Sequence, residues 1–192
     1  MNLIVPTDLW EDISSNVFPK TGRDVLQYRD FIIRPWEPRD RSAVSDLVRT
    51  VLTEYGLGFE PDQTDRDALQ VEEAYWRTGG EFWVVEHQGK IVGSGGFHPT
   101  HLGSGGVELR KMFLLPEVRG LGLGRYLLKN LEVAAARRGF QQMWLETATV
   151  LKEAVRLYEQ SGYRIPANAS VQVSRCDRIY VKDLVPPEPA PE

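Results

Sequence analysis

Residues Leu114-Leu115-Pro116-Glu117-Val118-Arg119-Gly120-Leu121-Gly122-Leu123-Gly124-Arg125 set three glycines at alternating positions between an apolar run and an amphipathic one. Glycine turns the chain tightly and lets backbone amides approach a ligand with no Cβ in the way. An apolar strand that enters such a turn and leaves it as a helix is part of an α/β layer, which restricts the chain to a narrow set of folds. The unpaired N–H groups of the helix start, with their partial positive charge, favour an anion. Arg119 and Arg125 add formal charge on either side. On physical grounds alone the segment is a pyrophosphate cradle. Two other readings stay open. One is a glycine-rich turn that holds nothing. The other is a dinucleotide-binding turn, with Glu146 near the end of the next strand as its ribose acid. That fingerprint is incomplete, because its third glycine position falls on Leu127 or Arg125 and the loop comes late in the chain. A Walker loop is excluded, since no Gly-Lys-Ser/Thr follows.

The rest of the chain alternates in the same manner. Phe31 to Arg34 predicts a short strand, stopped by Pro35 and Pro38. Val44, Leu47, Val48, Val51, Leu52 and Tyr55 recur at helical spacing. A second helix is expected from Thr64 or Asp65 to about Arg77, before Gly79-Gly80. Phe82 to Glu86, the turn Gln88-Gly89-Lys90, and Ile91 to Phe97 predict a β-hairpin. Val107 to Leu115 is another strand, closed by Pro116. Leu127, Leu128, Leu131, Ala134 and Ala135 mark a helix ending near Gly139, and Met143 to Thr147 a strand. Ala154, Leu157 and Tyr158 lie on a helix that Gly162 ends. Arg178 to Val181 closes the series, with room for one more strand near Val171 and Val173. The expected architecture is α/β, a single mixed central sheet of about six to seven strands flanked by about four helices. Residues 1–29, with Pro6, Pro19 and Gly22, read as an irregular extension and residues 30–185 as the domain. Residues 186–192, rich in proline, read as a loose tail.

A length of 192 residues suits one such domain. A formal net charge of −4 argues against a general nucleic-acid binder and leaves room for a cationic amine. Cys176 is the one cysteine, so no internal disulfide can form. No paired thiol or metal-ligand spacing accompanies it, so no metal is expected and a small buried residue is the plain expectation. Met1 to Pro6 lacks the basic flank and apolar core of a signal peptide. No apolar run approaches the ~20 residues that cross a bilayer, so no membrane partner is expected and the cytoplasm is the expected location.

Arg119-x-x-Gly122-x-Gly124 is similar to the Gln/Arg-x-x-Gly-x-Gly/Ala signature of the GNAT superfamily of N-acetyltransferases, and it lies between the matching strand and helix. Further on, Ala154-x-x-Leu157-Tyr158-Glu159-x-x-Gly162-Tyr163 resembles that family's Ala-x-x-Leu-Tyr-x-x-x-Gly-Phe segment. The element order agrees over residues 31–184. Glu108 to Pro116 and Ser174-Arg175-Cys176-Asp177 further resemble a bacterial subgroup acting on small molecules.

The resemblance implies a GNAT fold and transfer of an acetyl group from acetyl-coenzyme A, bound as co-substrate, to a primary amine of a small molecule in a ternary complex. Main-chain groups of Met112, Phe113 and Leu114 would hold the pantetheine arm, with the Leu114 N–H on the thioester oxygen. The amides of Arg119, Gly120, Leu121, Gly122, Leu123, Gly124 and Arg125 would take the pyrophosphate. A free alkylammonium has a pKa around ~10, so a base is needed. Glu108 holds the family position for one, although an ion pair with Arg110 or Lys111 is the plain alternative. Tyr158 matches the tyrosine that protonates the leaving thiolate, with a core aromatic as its alternative. Glu54, Tyr55 and Glu72 near the acceptor mouth would bind a cation or simply face water. His98 and His101 lie on the same approach, where a histidine is most often a plain loop residue, with His98 a lesser candidate for catalysis. Many relatives carry asparagine where Leu151 stands, so Thr147, Thr149 or a main-chain group is expected to replace that contact. A non-catalytic acyl-coenzyme A sensor or partner module is the competing function; it needs the glycine loop but not Glu108. Edge strands near the C-terminus leave room for a homodimer.

Overall fold

A computed structural model describes residues 25–168 and 170–185. The expectations for residues 1–24 and 186–192 lie outside the described residues. Seven strands follow one another across a single sheet in chain order. They are β1 (Leu26–Tyr28), β2 (Phe31–Pro35), β3 (Glu81–His87), β4 (Lys90–Pro99), β5 (Gly106–Leu114), β6 (Gln142–Thr147) and β7 (Arg178–Asp183). Every neighbouring pair is antiparallel except β5 and β6, which are parallel. A parallel pair needs a crossover, and α3 (Leu123–Arg137) supplies it.

The remaining helices are α1 (Arg41–Glu54), α2 (Arg66–Leu69) and α4 (Lys152–Gln160), with a π-helical turn at Glu72–Trp76. Val44, Leu47, Val48, Val51 and Leu52 form the buried stripe of α1. Val44, Val48 and Leu52 pack with Trp36, Tyr75, Phe82 and Val84 on one face of the sheet. Leu127, Leu128, Leu131 and Ala135 of α3 cover the other face, joined by Tyr158 of α4, Val85, Phe97 and Leu109. Central strands buried on both faces read as unbroken apolar runs, which is why Phe82-Trp83-Val84-Val85 shows no alternation. Each large aliphatic side chain so buried contributes about 1.5–3 kcal/mol.

Three expectations need correction. Residues 26–28, assigned to the irregular extension, form β1, whose register pairs Leu26 with Ile33 through a turn at Arg29 (φ 55). A three-residue strand is too short to show a period. The helix expected from Thr64 to Arg77 is split: Gln70 leaves helical geometry at φ −119, ψ 53, between α2 and the π turn. Asp65 and Asp67 face inward to cations of β5, so ion pairing rather than an apolar stripe sets this segment. The extra strand near Val171 and Val173 is absent. The Glu146 carboxylate accepts the amides of Gln172 (2.7 Å) and Val173 (2.8 Å), groups that a strand ladder would have used.

Candidate active site

The sheet splits down its middle. The β5–β6 ladder holds only for Gly106–Gln142, Val107–Met143 and Glu108–Trp144. Beyond it β5 continues to Leu114, while Leu145, Glu146 and Thr147 pair with β7 alone. The gap is a cleft of about 400 Å³ lined by Glu108 to Leu114, Arg119, Gly120, Gly122, Gly124, Arg125, Thr147 and Tyr158. Nearly all the residues picked from the sequence therefore converge. Leu121, which points outward, and Leu123, buried under the loop, line nothing there.

A bulge in β5 shapes the cleft wall. Ser94 pairs with Phe113 but Gly96 with Arg110, so β5 carries an extra residue, and Lys111 takes φ 51. Ser94 Oγ donates to the Lys111 carbonyl at 2.8 Å. Past the bulge, the Leu115 amide donates to Val92 O at 2.9 Å. Antiparallel ladders alternate, so the N–H and C=O of Leu114 turn away from β4 towards the gap. Arg119 Nε, donating to Leu114 O at 2.9 Å, takes the carbonyl. The amide is left facing the cleft.

Buried charge holds this bulge. Lys111 Nζ donates to Thr64 O at 2.8 Å and stands 3.0 Å from both Asp65 Oδ1 and Asp67 Oδ1. The Asp65 and Lys111 side chains are 0% and 3% exposed. Arg110 reaches Asp67 Oδ2 (3.0 Å), Glu108 Oε1 (3.1 Å) and Thr64 O (3.0 Å). Burial opposes the Asp65 charge, but Arg175 and Lys111 outweigh it and hold the carboxyl below its usual range. The same holds for Asp67, where Lys111 and Arg110 outweigh burial. Folded-state values below the unfolded ones mean stability that is complete above the ordinary carboxyl value and is lost progressively as pH falls from there through the lowered folded value. The thermal midpoint should therefore stay level down to about pH 5 and drop steeply below about pH 4. A midpoint unchanged down to about pH 3 would contradict this role for the aspartates.

At the open end of the cleft, Gly120 (φ 74) and Gly122 (φ 84) carry the chain into α3, with Gly122 as its N-cap. Tyr28 Oη steadies this loop by donating to Leu121 O at 3.0 Å. Both arginines beside it have side-chain partners, but only Arg119 meets a counter-charge. Arg119 is bidentate on Glu54 (2.7 and 2.8 Å), and Arg125 donates to Gln160 Oε1 (2.9 Å). Arg125, on a neutral partner, therefore adds its charge to that of the main-chain amides and the helix start.

Tyr158 is buried, with its ring edge-on to Tyr163 at 5.7 Å, and it lines the cleft. Burial pushes the Tyr158 hydroxyl above its ordinary value, so it remains a protonated donor at neutral pH. Nearby Cys176 also lines the cleft, and burial, followed by Glu146, pushes its thiol up to about 11. It is a neutral wall rather than a thiolate nucleophile. Glu108 faces the cleft while paired with Arg110, so the ion-pair alternative and the cleft position hold together.

The outer candidates all have partners, and of the three near the acceptor mouth Tyr55 lines the cleft. Glu54 pairs with Arg119, Glu72 with Arg41 (2.8 Å), and Tyr55 Oη lies 3.2 Å from Arg119 and 3.4 Å from Glu153. His98 Nδ1 faces Pro99 O at 2.9 Å, and His101 is exposed. Thr149 is tied to Asp177 (2.7 and 3.0 Å), which leaves Thr147 in the cleft. Sequence reading alone does not unite Asp65, Asp67, Arg110, Lys111 and Arg175. The one signal was Arg110-Lys111 inside an apolar strand, since buried cations demand partners. Among the described residues no helix is long and apolar enough to cross a membrane.

Comparison with known proteins identifies the family and matches the fold. The model of the acetyltransferase (GNAT) family matches residues 46–163. YjgM, an uncharacterized N-acetyltransferase of Escherichia coli, is 37% identical over 135 residues, spanning 69% of this chain and 81% of its own. An acetyltransferase structure from Streptococcus agalactiae superposes with a TM-score of 0.73 at 26% identity, over 82% of this chain and 100% of that one. PaiA N-acetyltransferase from Thermoplasma acidophilum, solved in complex with coenzyme A, shares the fold with a TM-score of 0.62 at 14% identity, over 80% of this chain and 98% of that one.

Proposed function

The chain belongs to the GNAT acetyltransferase family, and from that premise we propose that it transfers the acetyl group of acetyl-coenzyme A directly to a primary amine of a small molecule, both substrates being bound together. The observation that carries this is the split of the sheet: an outward-facing Leu114 amide, a glycine-started helix, Glu108 and Tyr158 all border one cleft. The residues fit the group, because the parted strands leave main-chain donors and acceptors for an extended arm and α3 begins where its phosphates would lie. Bound acetyl-coenzyme A supplies the activated acetyl thioester. Met112, Phe113 and Leu114 hold the arm, and the Leu114 N–H donates to the thioester oxygen as negative charge gathers there. Glu108 accepts a proton from the incoming ammonium, directly or through one water, so that a neutral amine attacks. Tyr158 gives its hydroxyl proton to the departing sulfur as the C–S bond breaks, and regains one, directly or through water, from the nitrogen of the new amide.

The test is thiol release from acetyl-coenzyme A across a panel of small primary amines, run beside calorimetric titration with acetyl-coenzyme A. Binding with amine-dependent release is the expected result. Binding with no release from any amine would instead leave a non-catalytic acyl-coenzyme A module. In the same assay Tyr158→Phe should lower kcat about 100-fold, the low end for a positioned proton donor. Full turnover by that variant would remove Tyr158 from the mechanism.

A further inference from the structure

On the reading above, the amine arrives from the sheet face covered by α1 and α2, where Arg110 holds Glu108 against the Asp67 side. A charged side chain bridges the split on that face. Arg175, in the loop before β7, reaches over to the segment ahead of α2. Its Nη1 donates to Gly58 O (3.1 Å), Thr64 Oγ1 (3.0 Å) and Asp65 Oδ2 (2.7 Å), and its Nη2 to Asp65 Oδ1 (2.6 Å).

Both ends of this bridge are fixed. At the far end, Asp65 is also held by Lys111 and by the Glu60 amide (2.9 Å). At the near end, Glu146 ties down Gln172 and Val173, and Val171 packs on Trp144, Ile179 and Val181. Asp177, just past Cys176, donates its amide to Thr147 O at 3.1 Å. An arginine fork meeting a buried carboxylate on two oxygens is the strong, directional form of an ion pair. The side chain is 14% exposed and lines the cleft.

We propose that Arg175 is a specificity-determining residue. It is a strap across the acceptor side that admits a compact, unbranched primary amine end-on to Glu108 and excludes branched amines and peptide lysines. Leu57, Val173 and Cys176 line the cleft with it, so the wall beside the strap is largely apolar up to the carboxylate. A volume of about 400 Å³ has to take the thioester arm as well as the acceptor. The inference rests on the acetyl-transfer reading and adds the acceptor class.

The experiment compares kcat/KM for propylamine, 1,4-diaminobutane, cyclohexylamine and a lysine-containing tripeptide in wild type, Arg175→Ala and Arg175→Lys. Acetyl-coenzyme A affinity is measured on each variant by calorimetry. Wild type should favour the unbranched amines about 100-fold, near the upper range for discrimination by a pocket wall. Arg175→Ala should shrink that ratio at least about tenfold by raising the bulky substrates relative to the slender ones. Arg175→Lys keeps Asp65 paired but spans less of the gap, so it should shrink the ratio less. This variant carries the test if the alanine variant is unstable. Acetyl-coenzyme A affinity within about threefold of wild type shows the cofactor half intact. An unchanged ratio, or an equal loss for every amine, overturns the proposal while leaving acetyl transfer standing. A wild type that releases no thiol with any amine overturns both.

Discussion

Gly124→Asp is expected to abolish measurable acetyl-coenzyme A binding while leaving the protein at least as stable as wild type. Gly124 sits in the first turn of α3 and lines the cleft. A Cβ there would meet Leu114 Cδ1 and Leu157 Cδ2 at 3.5 Å, ordinary contact. Aspartate in a first helical turn suits the helix dipole, and replacing glycine inside a helix removes a cost of about 0.5–1 kcal/mol. The same carboxylate stands where the pyrophosphate is to lie and repels it. Calorimetry should show affinity down at least about 100-fold, close to 3 kcal/mol at 1.4 kcal/mol per tenfold. The melting temperature should hold or rise. Gly124→Ala adds bulk without charge and should lose much less. Gly122→Asp is the blunter variant, since φ is 84 there and a Cβ would lie 2.6 Å from Tyr28 Oη. Retained binding in Gly124→Asp would remove the loop from the cofactor site.

Glu108→Gln should lower kcat at about pH 7.5 roughly 100- to 1000-fold, the contribution of a positioned general base. Glutamine keeps an oxygen to accept from Arg110 Nη1, now 3.1 Å from Oε1, so the strand and its ion network should survive. What it loses is the capacity to take a proton. The variant then depends on amine that is already neutral in solution, a fraction that rises tenfold per pH unit below a pKa of about 10. Its deficit should shrink as pH approaches about 10. A merely structural role for Glu108 predicts a deficit that is flat with pH, and that outcome would move the base elsewhere.

Much of this was legible beforehand, for reasons that differ by residue. The stripe from Val44 to Leu52 and the run Phe82 to Val85 announce themselves because apolar burial imposes a period or a continuous block. The glycine loop is legible because Gly120 and Gly122 occupy left-handed conformations that other residues adopt at a cost. Leu26 to Tyr28 and the segment from Asp65 to Trp76 were not legible, since contacts distant in sequence shape them. The Tyr28 hydroxyl meets the loop at Leu121, and Asp65 meets Lys111 and Arg175. Pairings between far-apart charges leave no period behind. The same limit hid the partners of Arg119, whose guanidinium meets Glu54 on α1.

Where β5 and β6 part, two strand edges face each other in the interior of the sheet. An exposed edge elsewhere is a template for pairing with another chain, and proteins usually blunt such edges with charge, proline or cover. This pair is sheltered. Helices α3 and α4 close one face, Arg175 crosses the other, and Tyr55 meets Glu153 over the mouth at 3.4 Å. A second polypeptide has no room to lie down there, whereas a slender arm with amides of its own does. The protein thus keeps backbone groups open for pairing without the aggregation hazard that an outer edge of the same length would carry.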